Sequence, residues 1–350
     1  MSWMKFILID GNAIMHRAYH ALPPLTASDG RATNAVYGFT SMLLRIINDL
    51  HPTHLAVAFD RPEPTFRKKL LVSYQAHRPE MEDSLSSQFP IMQDVLSAMR
   101  IPIFEHSGYE ADDVIGTIAN KVKSEKLKVK RETSPKSPPF EGGERGGFID
   151  EIIIVTGDRD ILQLVDEQVN VYMPVKGLSE AKMYDREAVF DKMGIYPQQI
   201  VDYKALVGDA SDNYPGISGI GPKTAMTLLG KYKTLEQVYK NLGKEKNKKI
   251  VERLKNGEKD AEMAKTLAQI VKDVPVKVDM ELCLLHEFDS PEVEELFHKL
   301  GFKSLLGRIK GEEKEKEGKE ANPSTPLRIN PSTVAQDKKK KEDDSQLSFF

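Results

Sequence analysis

The first 175 residues alternate between apolar runs of strand length and stretches whose apolar residues recur at helical spacing. This alternation is typical of an α/β fold in which helices flank a mostly parallel central sheet. The strand candidates are residues 6–10, 54–60, 101–105, 151–158 and 169–175. A helix is predicted over residues 35–50, and a second helix begins near Asp112 and ends near Lys130.

The pattern changes after the last of these strands. From residue 184 to residue 309 the spacing is helical throughout, with Gly, Pro or Asn between short helices. We therefore predict an α/β domain over residues 1–183 and an all-α domain over residues 184–309.

Three segments depart from regular patterning. Residues 61–90 are rich in charge and proline, and they are long for a plain connection. Residues 131–147 are mostly Pro, Gly, Ser and Glu, so we expect a disordered insertion. Residues 310–350 form a mixed-charge tail, also expected to be disordered, that ends in the apolar sequence QLSFF. A short apolar end on a flexible tether can serve as a docking peptide, although chance is a fair competitor for five residues.

Nine carboxylates lie where predicted strands end or where helices begin and end. They are Asp10, Asp60, Glu110, Asp112, Asp113, Asp158, Asp160, Asp209 and Asp212. Parallel strands open onto one crevice at their carboxyl ends, so we expect these acids to converge there. A single Asp at a strand end is more often a helix cap or turn residue. Helix capping and turns poorly explain three separate clusters of two or three acids. Oxygen ligands suit Mg²⁺ or Mn²⁺, and two such ions about 4 Å apart commonly hydrolyse phosphodiesters.

A glycine-rich turn, SGIGPKTA, occupies residues 218–225. Gly219 and Gly221 permit unusual backbone angles, and Pro222 suits the first turn of a helix. The free amides at that helix start, beside Lys223, could bind a phosphate. This is the helix-hairpin-helix pattern of proteins that bind the DNA backbone. An ordinary helix–turn–helix connection is the alternative.

The segment after Asp60 is basic and partly aromatic. Its cations and rings are Phe66, Arg67, Lys68, Lys69, Tyr74 and Arg78. A solvated charged helix is the usual explanation of such a run. Its origin directly after a candidate metal ligand favours an electropositive flap that draws single-stranded nucleic acid inward and stabilises the scissile phosphate.

Composition adds little to this picture. The net charge is −3, which neither indicates nor excludes a nucleic-acid partner. Cys283 is the only cysteine, so an intramolecular disulfide is excluded and a reducing cytosol is favoured. No stretch approaches the ~20 apolar residues of a membrane span. We expect a cytoplasmic monomer without membrane contact.

Taken in order, these motifs resemble the 5′ nuclease family: the 5′→3′ exonuclease domain of bacterial DNA polymerase I, with phage and eukaryotic flap endonucleases. The resemblance covers residues 4–309 and rests on LIDGN, AVYGF, FDRPEPTFR, YQAHRP, GYEADD, TGDRD, YKALVGDASDN, PGISGIGPKTA and the closing FKSLL. It implies a PIN-like core and a metal-dependent 5′→3′ exonuclease or flap endonuclease of replication and repair. The substrates would be DNA and RNA primers at 5′ ends, flaps and nicks.

The resemblance also implies residue roles. All nine acids would hold two Mg²⁺ or Mn²⁺ ions, with Asp112, Asp113 and Asp158 as the first candidates for direct ligation and Asp10 in support. Catalytic roles on a helical arch over residues 61–90 would fall to Arg67, Lys69 and Arg78. DNA contacts would fall to Tyr37, Arg67, Arg78, Lys204, Gly219, Gly221, Lys223 and Thr224. The hairpin would hold K⁺.

Two features depart from the family or extend beyond it. Gln75 stands where relatives usually carry a lysine on the arch, so support of the phosphate there is expected to be weaker. No polymerase domain follows, so the chain resembles a stand-alone nuclease or a severed N-terminal portion. QLSFF resembles the peptide by which bacterial repair enzymes dock on the sliding clamp, through Gln346, Leu347, Phe349 and Phe350.

Two alternatives remain. One is a non-catalytic, clamp-tethered binder of DNA structures, against which the full set of acids argues. The other is a metal-dependent ribonuclease of the related PIN fold, which would need neither the arch segment nor the hairpin domain.

Overall fold

A computed structural model describes residues 3–124, 127–129, 145–176 and 180–311. Its strands are β1 (Lys5–Asp10), β2 (His54–Ala58), β3 (Ile103–Phe104), β4 (Leu127–Val129), β5 (Arg145–Gly147), β6 (Glu151–Val155), β7 (Val169–Lys176), β8 (Glu180–Tyr184), β9 (Gly208–Asp209) and β10 (Tyr214–Pro215). Its first helices are α1 (Gly11–Ala21), α2 (Asn34–Leu50), α3 (Phe66–Leu70), α4 (Asp83–Ser86), α5 (Gln88–Ala98), α6 (Ala111–Ser124) and α7 (Arg186–Met193). The remaining helices are α8 (Ile200–Val207), α9 (Pro222–Tyr232), α10 (Leu235–Lys240), α11 (Lys248–Asn256), α12 (Glu258–Ala268), α13 (Pro291–Leu300) and α14 (Lys303–Lys310).

Six strands form the central sheet in the order β3-β2-β1-β6-β7-β8. All neighbours are parallel except β8, which runs antiparallel to β7. The predicted fold class, a mostly parallel sheet flanked by helices and followed by a helical region, is confirmed. The strand order reverses at β1, whose two neighbours are β2 and β6. In open parallel sheets such a reversal opens a crevice at the carboxyl ends of the strands.

The two faces of the sheet bury alternate residues of each strand. Ile7 and Ile9 of β1 face a layer formed by α1, α2, α5, α13 and α14. Phe6 and Leu8 face the opposite layer, which α6 dominates. The sheet is therefore covered on both sides, which leaves its carboxyl-terminal edge for the acids.

The helical region departs from the prediction in one segment. Residues 269–290 contain no helix, so the expectation of helix throughout residues 184–309 is wrong there. Pro275 disfavours helix at and before its position. Ile270, Val274 and Val276 of this segment instead pack in the α6 layer. The chain then returns to the opposite layer, where α13 and α14 pack.

Three further expectations change. β8 was not predicted. Its sequence, EAKMY, is short and mostly exposed or half-buried, so it lacks the apolar run that identified the other strands. The helix expected to end near Lys130 ends at Ser124. Arg145–Gly147, assigned to the disordered insertion, pairs with β4 as β5. The rest of that insertion and the tail, including residues 346–350, lie outside the described residues. None of the described helices is long and apolar enough to cross a lipid bilayer.

Candidate active site

The acids that follow the parallel strands are held by backbone amides at the edge of the crevice. Asp10 ends β1 and caps α1, with its Oδ1 accepting from the amide of Ala13 at 2.9 Å. Asp60, two residues after β2, accepts from the amide of Ala111 at 2.7 Å, at the start of α6. Asp10 is thus both a cap and a member of the cluster, so the two interpretations of a strand-end acid are compatible.

Thr156 connects two of these acids. Its hydroxyl donates to Asp10 Oδ2 at 2.6 Å and accepts from the amide of Asp158 at 2.9 Å. Asp158 Oδ1 in turn accepts from the amide of Asp160 at 2.8 Å. Sequence reasoning missed Thr156. The available signal was its position directly after β6 in the TGD sequence.

The crowding of these carboxylates appears in their pKa values. Burial, together with the charges of Asp60 and Asp158, raises the pKa of Asp10 to about 7. Burial likewise raises the pKa of Asp112 well above its usual range, and the charges of Asp158 and Asp10 contribute to this shift. The predicted convergence of the acids is therefore present, and the cluster favours a bound cation.

Asp112 and Asp113 are adjacent in sequence but have different environments. Within the described part of the chain, no donor is bonded to Asp112. Asp113 is fully buried and accepts from both terminal nitrogens of Arg67, at 2.7 and 2.8 Å. It also accepts from the amides of Val271 and Glu110. These bonds occupy the Asp113 carboxylate, so its geometry does not support the direct metal ligation expected for it.

Arg67 is likewise not where the arch interpretation places it. Its side chain is 3% exposed, and its guanidinium donates to Asp113, to Glu110 and to the carbonyls of Leu267 and Gln269. An arginine with this set of partners cannot also reach nucleic acid. The expected catalytic and DNA-binding roles of Arg67 are corrected to a structural one: it ties α3 to α6 and to the segment after α12.

Two other cations contact the acids. The ammonium of Lys204, on α8, lies between Asp160 and Asp209. Burial raises the pKa of Asp160 to about 7 even though Lys204 opposes the shift. For Asp209 burial also acts to raise the pKa, but Lys204 and the hydrogen bonds from Ser211 together lower it below its usual value. Lys204 was predicted to bind DNA, and the structure places it inside the acidic cluster.

Arg78 joins the cluster through Asp212. Its Nη2 donates to Asp212 Oδ1 at 2.8 Å, and about half of its side chain remains exposed. Gln75 donates to the same oxygen at 3.1 Å. Tyr74, which sequence reasoning named only as an interleaved ring, directs its hydroxyl to Glu110 and Asp212 at 3.3 and 3.4 Å. The basic segment therefore closes over the acids.

The donor set fits divalent metal ions. Asp160, Asp209 and Asp212 each offer a carboxylate oxygen, and these atoms lie within 4.8 Å of one another. Hard oxygen ligands of this kind suit magnesium and similar cations. The ammonium of Lys204 already compensates part of the negative charge there, as a bound cation would. These observations support the predicted metal centre in its coarse form, a cluster of acids able to hold divalent ions.

The remaining predicted contacts lie outside the cluster. Lys69 is exposed on α3, and its side chain makes no ion pair among the described residues. The hydroxyl of Tyr37 shares a hydrogen bond with Ser304 at 2.8 Å, and its ring contacts Phe302 edge-on. The contacts of Lys69 and Tyr37 with other described residues therefore do not indicate a role in catalysis or DNA binding.

The glycine-rich turn forms as predicted. Gly219 has a φ of +78°, a conformation that favours glycine, and Gly221 precedes α9 with no side chain capping the helix. The first amides of a helix have no partner within it, so those of Lys223 and Thr224 are available to an anion. Arg253 of α11 donates to the Gly219 carbonyl at 2.7 Å and holds the turn in place. Its contribution was not predicted.

Two family models match the chain over more than half of its length. One describes the N-terminal resolvase-like domain of 5′-3′ exonucleases and matches residues 5–136. The other describes the C-terminal SAM fold of 5′-3′ exonucleases and matches residues 195–291. The chain belongs to the 5′-3′ exonuclease family. The two matched regions contain seven of the nine clustered acids; Asp158 and Asp160 lie between them.

Curated relatives of this exonuclease-family chain carry the name DNA polymerase I. The protein from Bacillus caldotenax is 39% identical over 313 residues, which cover 89% of this chain and 33% of the relative. That from Caldicellulosiruptor bescii is 40% identical over 308 residues, covering 87% of this chain and 33% of the relative. The chain therefore spans about a third of the length of these relatives.

Solved structures share the fold at low sequence identity. A bacteriophage T5 5′-exonuclease with divalent zinc ions bound has a TM-score of 0.57 and 18% identity, covering 88% of this chain and 97% of the other. The catalytic core of Rad2 in complex with DNA substrate has a TM-score of 0.51 and 15% identity, covering 88% and 93%. At such identities the likeness shows the fold alone.

Proposed function

We propose that this chain is a structure-specific 5′ nuclease. It hydrolyses phosphodiester bonds of DNA and of RNA primers at 5′ ends, flaps and nicks, during replication and repair. The observation that carries the proposal is the acidic crevice at the reversal of strand order, in which Asp112 has no bonded donor among the described residues. Membership of the 5′-3′ exonuclease family supports the same reaction class.

The acids divide into three groups by what their oxygens contact. Asp10, Asp60, Asp112 and Asp158 form the first group, at the carboxyl-terminal edge of the sheet, and Asp160, Asp209 and Asp212 form the second group beside α8. Asp113 and Glu110 form the third group, because both accept hydrogen bonds from Arg67. Two Mg²⁺ or Mn²⁺ ions bound by the first two groups would activate water and stabilise the charge of the leaving oxygen.

The chain's own cations position the substrate. Arg78 keeps half of its side chain exposed beside Asp212, so its guanidinium can contact a phosphate at the crevice. The amides at the start of α9 and the ammonium of Lys223 offer a second phosphate site on duplex DNA. Their two positions, one at the acids and one on the helical region, suit a substrate with a duplex and a free 5′ strand. We infer that K⁺ binds at the carbonyls of the same hairpin.

A docking role is proposed for the end of the chain. QLSFF, at residues 346–350, is a short apolar peptide on a polar tether of about 35 residues, and such a tether raises the effective concentration of the nuclease at a partner. The partner we propose is the sliding clamp.

The test separates cleavage from binding. A labelled 5′-flap duplex is incubated with wild type and with Asp112→Asn, and binding is measured in parallel with Ca²⁺ in place of Mg²⁺. We expect Asp112→Asn to bind the flap as wild type does and to cut it at least about 100-fold more slowly, because losing a metal ligand should cost no less than losing a group that only supports one, which costs about 10–100-fold. Equal cutting by the two proteins would refute the assignment of the reaction to the acidic crevice, and the absence of both binding and cutting would refute the nuclease itself. Binding without cutting by both would identify a DNA-structure-binding protein.

A further inference from the structure

Tyr214 lies directly opposite Asp209 in a two-residue ladder. β9 and β10 run antiparallel, and the register pairs Tyr214 with Asp209 and Pro215 with Gly208. The backbones touch there: a Cβ on Gly208 would lie 2.4 Å from the amide nitrogen of Gly216. Directly opposed residues of an antiparallel pair project to the same face, so the Tyr214 ring lies on the side of the Asp209 carboxylate.

The hydroxyl of Tyr214 is buried without a hydrogen-bond partner among the described residues. The residue is only 4% exposed, and its ring stacks on Tyr74 at a centroid distance of 6.4 Å. The hydroxyl of Tyr74, in contrast, reaches Glu110 and Asp212. A buried phenolic hydroxyl normally has a partner, because leaving it without one costs free energy. Tyr214 thus differs from Tyr74, because no described residue satisfies its buried hydroxyl.

The surroundings of this hydroxyl indicate what that partner is. Apart from burial, the charges that act on Tyr214 are those of Lys204, Asp160, Asp209 and Asp212. Three of these residues are the acids whose oxygens lie within 4.8 Å of one another. A magnesium ion held by carboxylates keeps several water ligands, and such a water can donate to a phenolic oxygen.

We propose that the Tyr214 hydroxyl is the hydrogen-bonding partner of a hydrated divalent cation held by Asp160, Asp209 and Asp212. Tyr214 is then a positioning residue that raises the affinity of this site for an ion that keeps its water. The inference rests on the metal centre of the proposed function, and it adds a residue that is not itself a ligand.

The test measures metal binding directly, without DNA or cleavage. Free Mn²⁺ is followed by electron paramagnetic resonance while it is titrated into wild type, Tyr214→Phe and the control Tyr196→Phe. Tyr196 is a partly exposed tyrosine away from the acids, so its variant removes a hydroxyl of the same kind. We expect Tyr214→Phe to weaken Mn²⁺ binding about 10-fold. That is the usual effect of losing a group that hydrogen-bonds to a ligand of the metal and does not contact the metal itself. The control should bind as wild type does.

Thermal unfolding distinguishes this role from a structural one. In chelator, Tyr214→Phe should unfold at the same Tm as wild type or higher, because it removes a buried hydroxyl that lacks a partner. Added Mg²⁺ should raise its Tm less than it raises that of wild type. Unchanged Mn²⁺ affinity, or a lower Tm in chelator, would overturn the inference. If wild type itself binds no Mn²⁺, the metal centre of the proposed function fails and this inference fails with it.

Discussion

Replacing Arg67 should destabilise the fold strongly. All five N–H donors of its guanidinium are engaged: they reach both oxygens of Asp113, one of Glu110 and the carbonyls of Leu267 and Gln269. Arg67→Met would leave the Asp113 carboxylate charged, buried and without its counter-ion. Breaking a buried pair in this way costs about 3–5 kcal/mol. At about 2–4 °C per kcal/mol for a large domain, the expected fall in Tm is about 6–20 °C.

The assay is thermal or urea unfolding of four proteins: wild type, Arg67→Met, Asp113→Leu and the double variant. Because the double variant removes both charges, its loss should be smaller than the sum of the two single losses by about 2 kcal/mol. Arg67→Lys should fall between wild type and Arg67→Met, since an ammonium lacks the planar fork that grips both oxygens.

Arg61→Met is the matched control. Arg61 also pairs with two carboxylates, Glu63 and Glu105, but its side chain is 39% exposed, so the same change should have little effect on Tm. If Arg67→Met lowers Tm no more than Arg61→Met does, the buried pair is not the anchor that we describe. In that case Arg67 would be free to act on the substrate.

Three further predictions concern substrate and partner. Gln75→Lys should raise the cleavage rate at low Mg²⁺, because an ammonium beside Asp212 can contact the phosphate; an unchanged or lower rate in a flap assay contradicts this. Lys223→Gln should lower the slope of log K against log salt for duplex binding by about 0.9, the loss of one phosphate contact, whereas Lys299→Gln on α13 should not change it. Deleting residues 346–350 should abolish sliding-clamp binding in a pull-down and leave clamp-independent cleavage intact; retained binding excludes the peptide.

The sequence predicted the positions of the acids well, for a physical reason. Each acid follows an apolar strand or bounds a helix, and parallel strands bring such positions to one edge whatever the details of packing. Asp10, Asp60 and Asp158 illustrate this, because each comes where the continuous apolar run of a buried strand stops. The turn at Gly219 was equally accessible, since its conformation requires glycine.

The roles of the cations could not be predicted from local sequence. Arg67 and Lys204 were both expected to bind DNA, yet tertiary packing places them among the acids. The partners of Arg67 include carbonyls 200 and 202 residues away. The course of residues 269–290 was also hidden, because its apolar residues fit a helix in spacing but pack on α6 instead. The partnerless hydroxyl of Tyr214 is visible only once the ladder with Asp209 is known.

We propose that this chain cuts a 5′ flap at its junction by means of the acidic crevice. The most direct test maps the products of a 5′-labelled flap duplex at nucleotide resolution, with Mg²⁺ and with chelator, for wild type and Asp158→Asn. We predict cutting within a nucleotide or two of the junction by wild type with Mg²⁺ alone. Cutting that persists in chelator or in Asp158→Asn, or the absence of any cutting by wild type with Mg²⁺, would contradict the account.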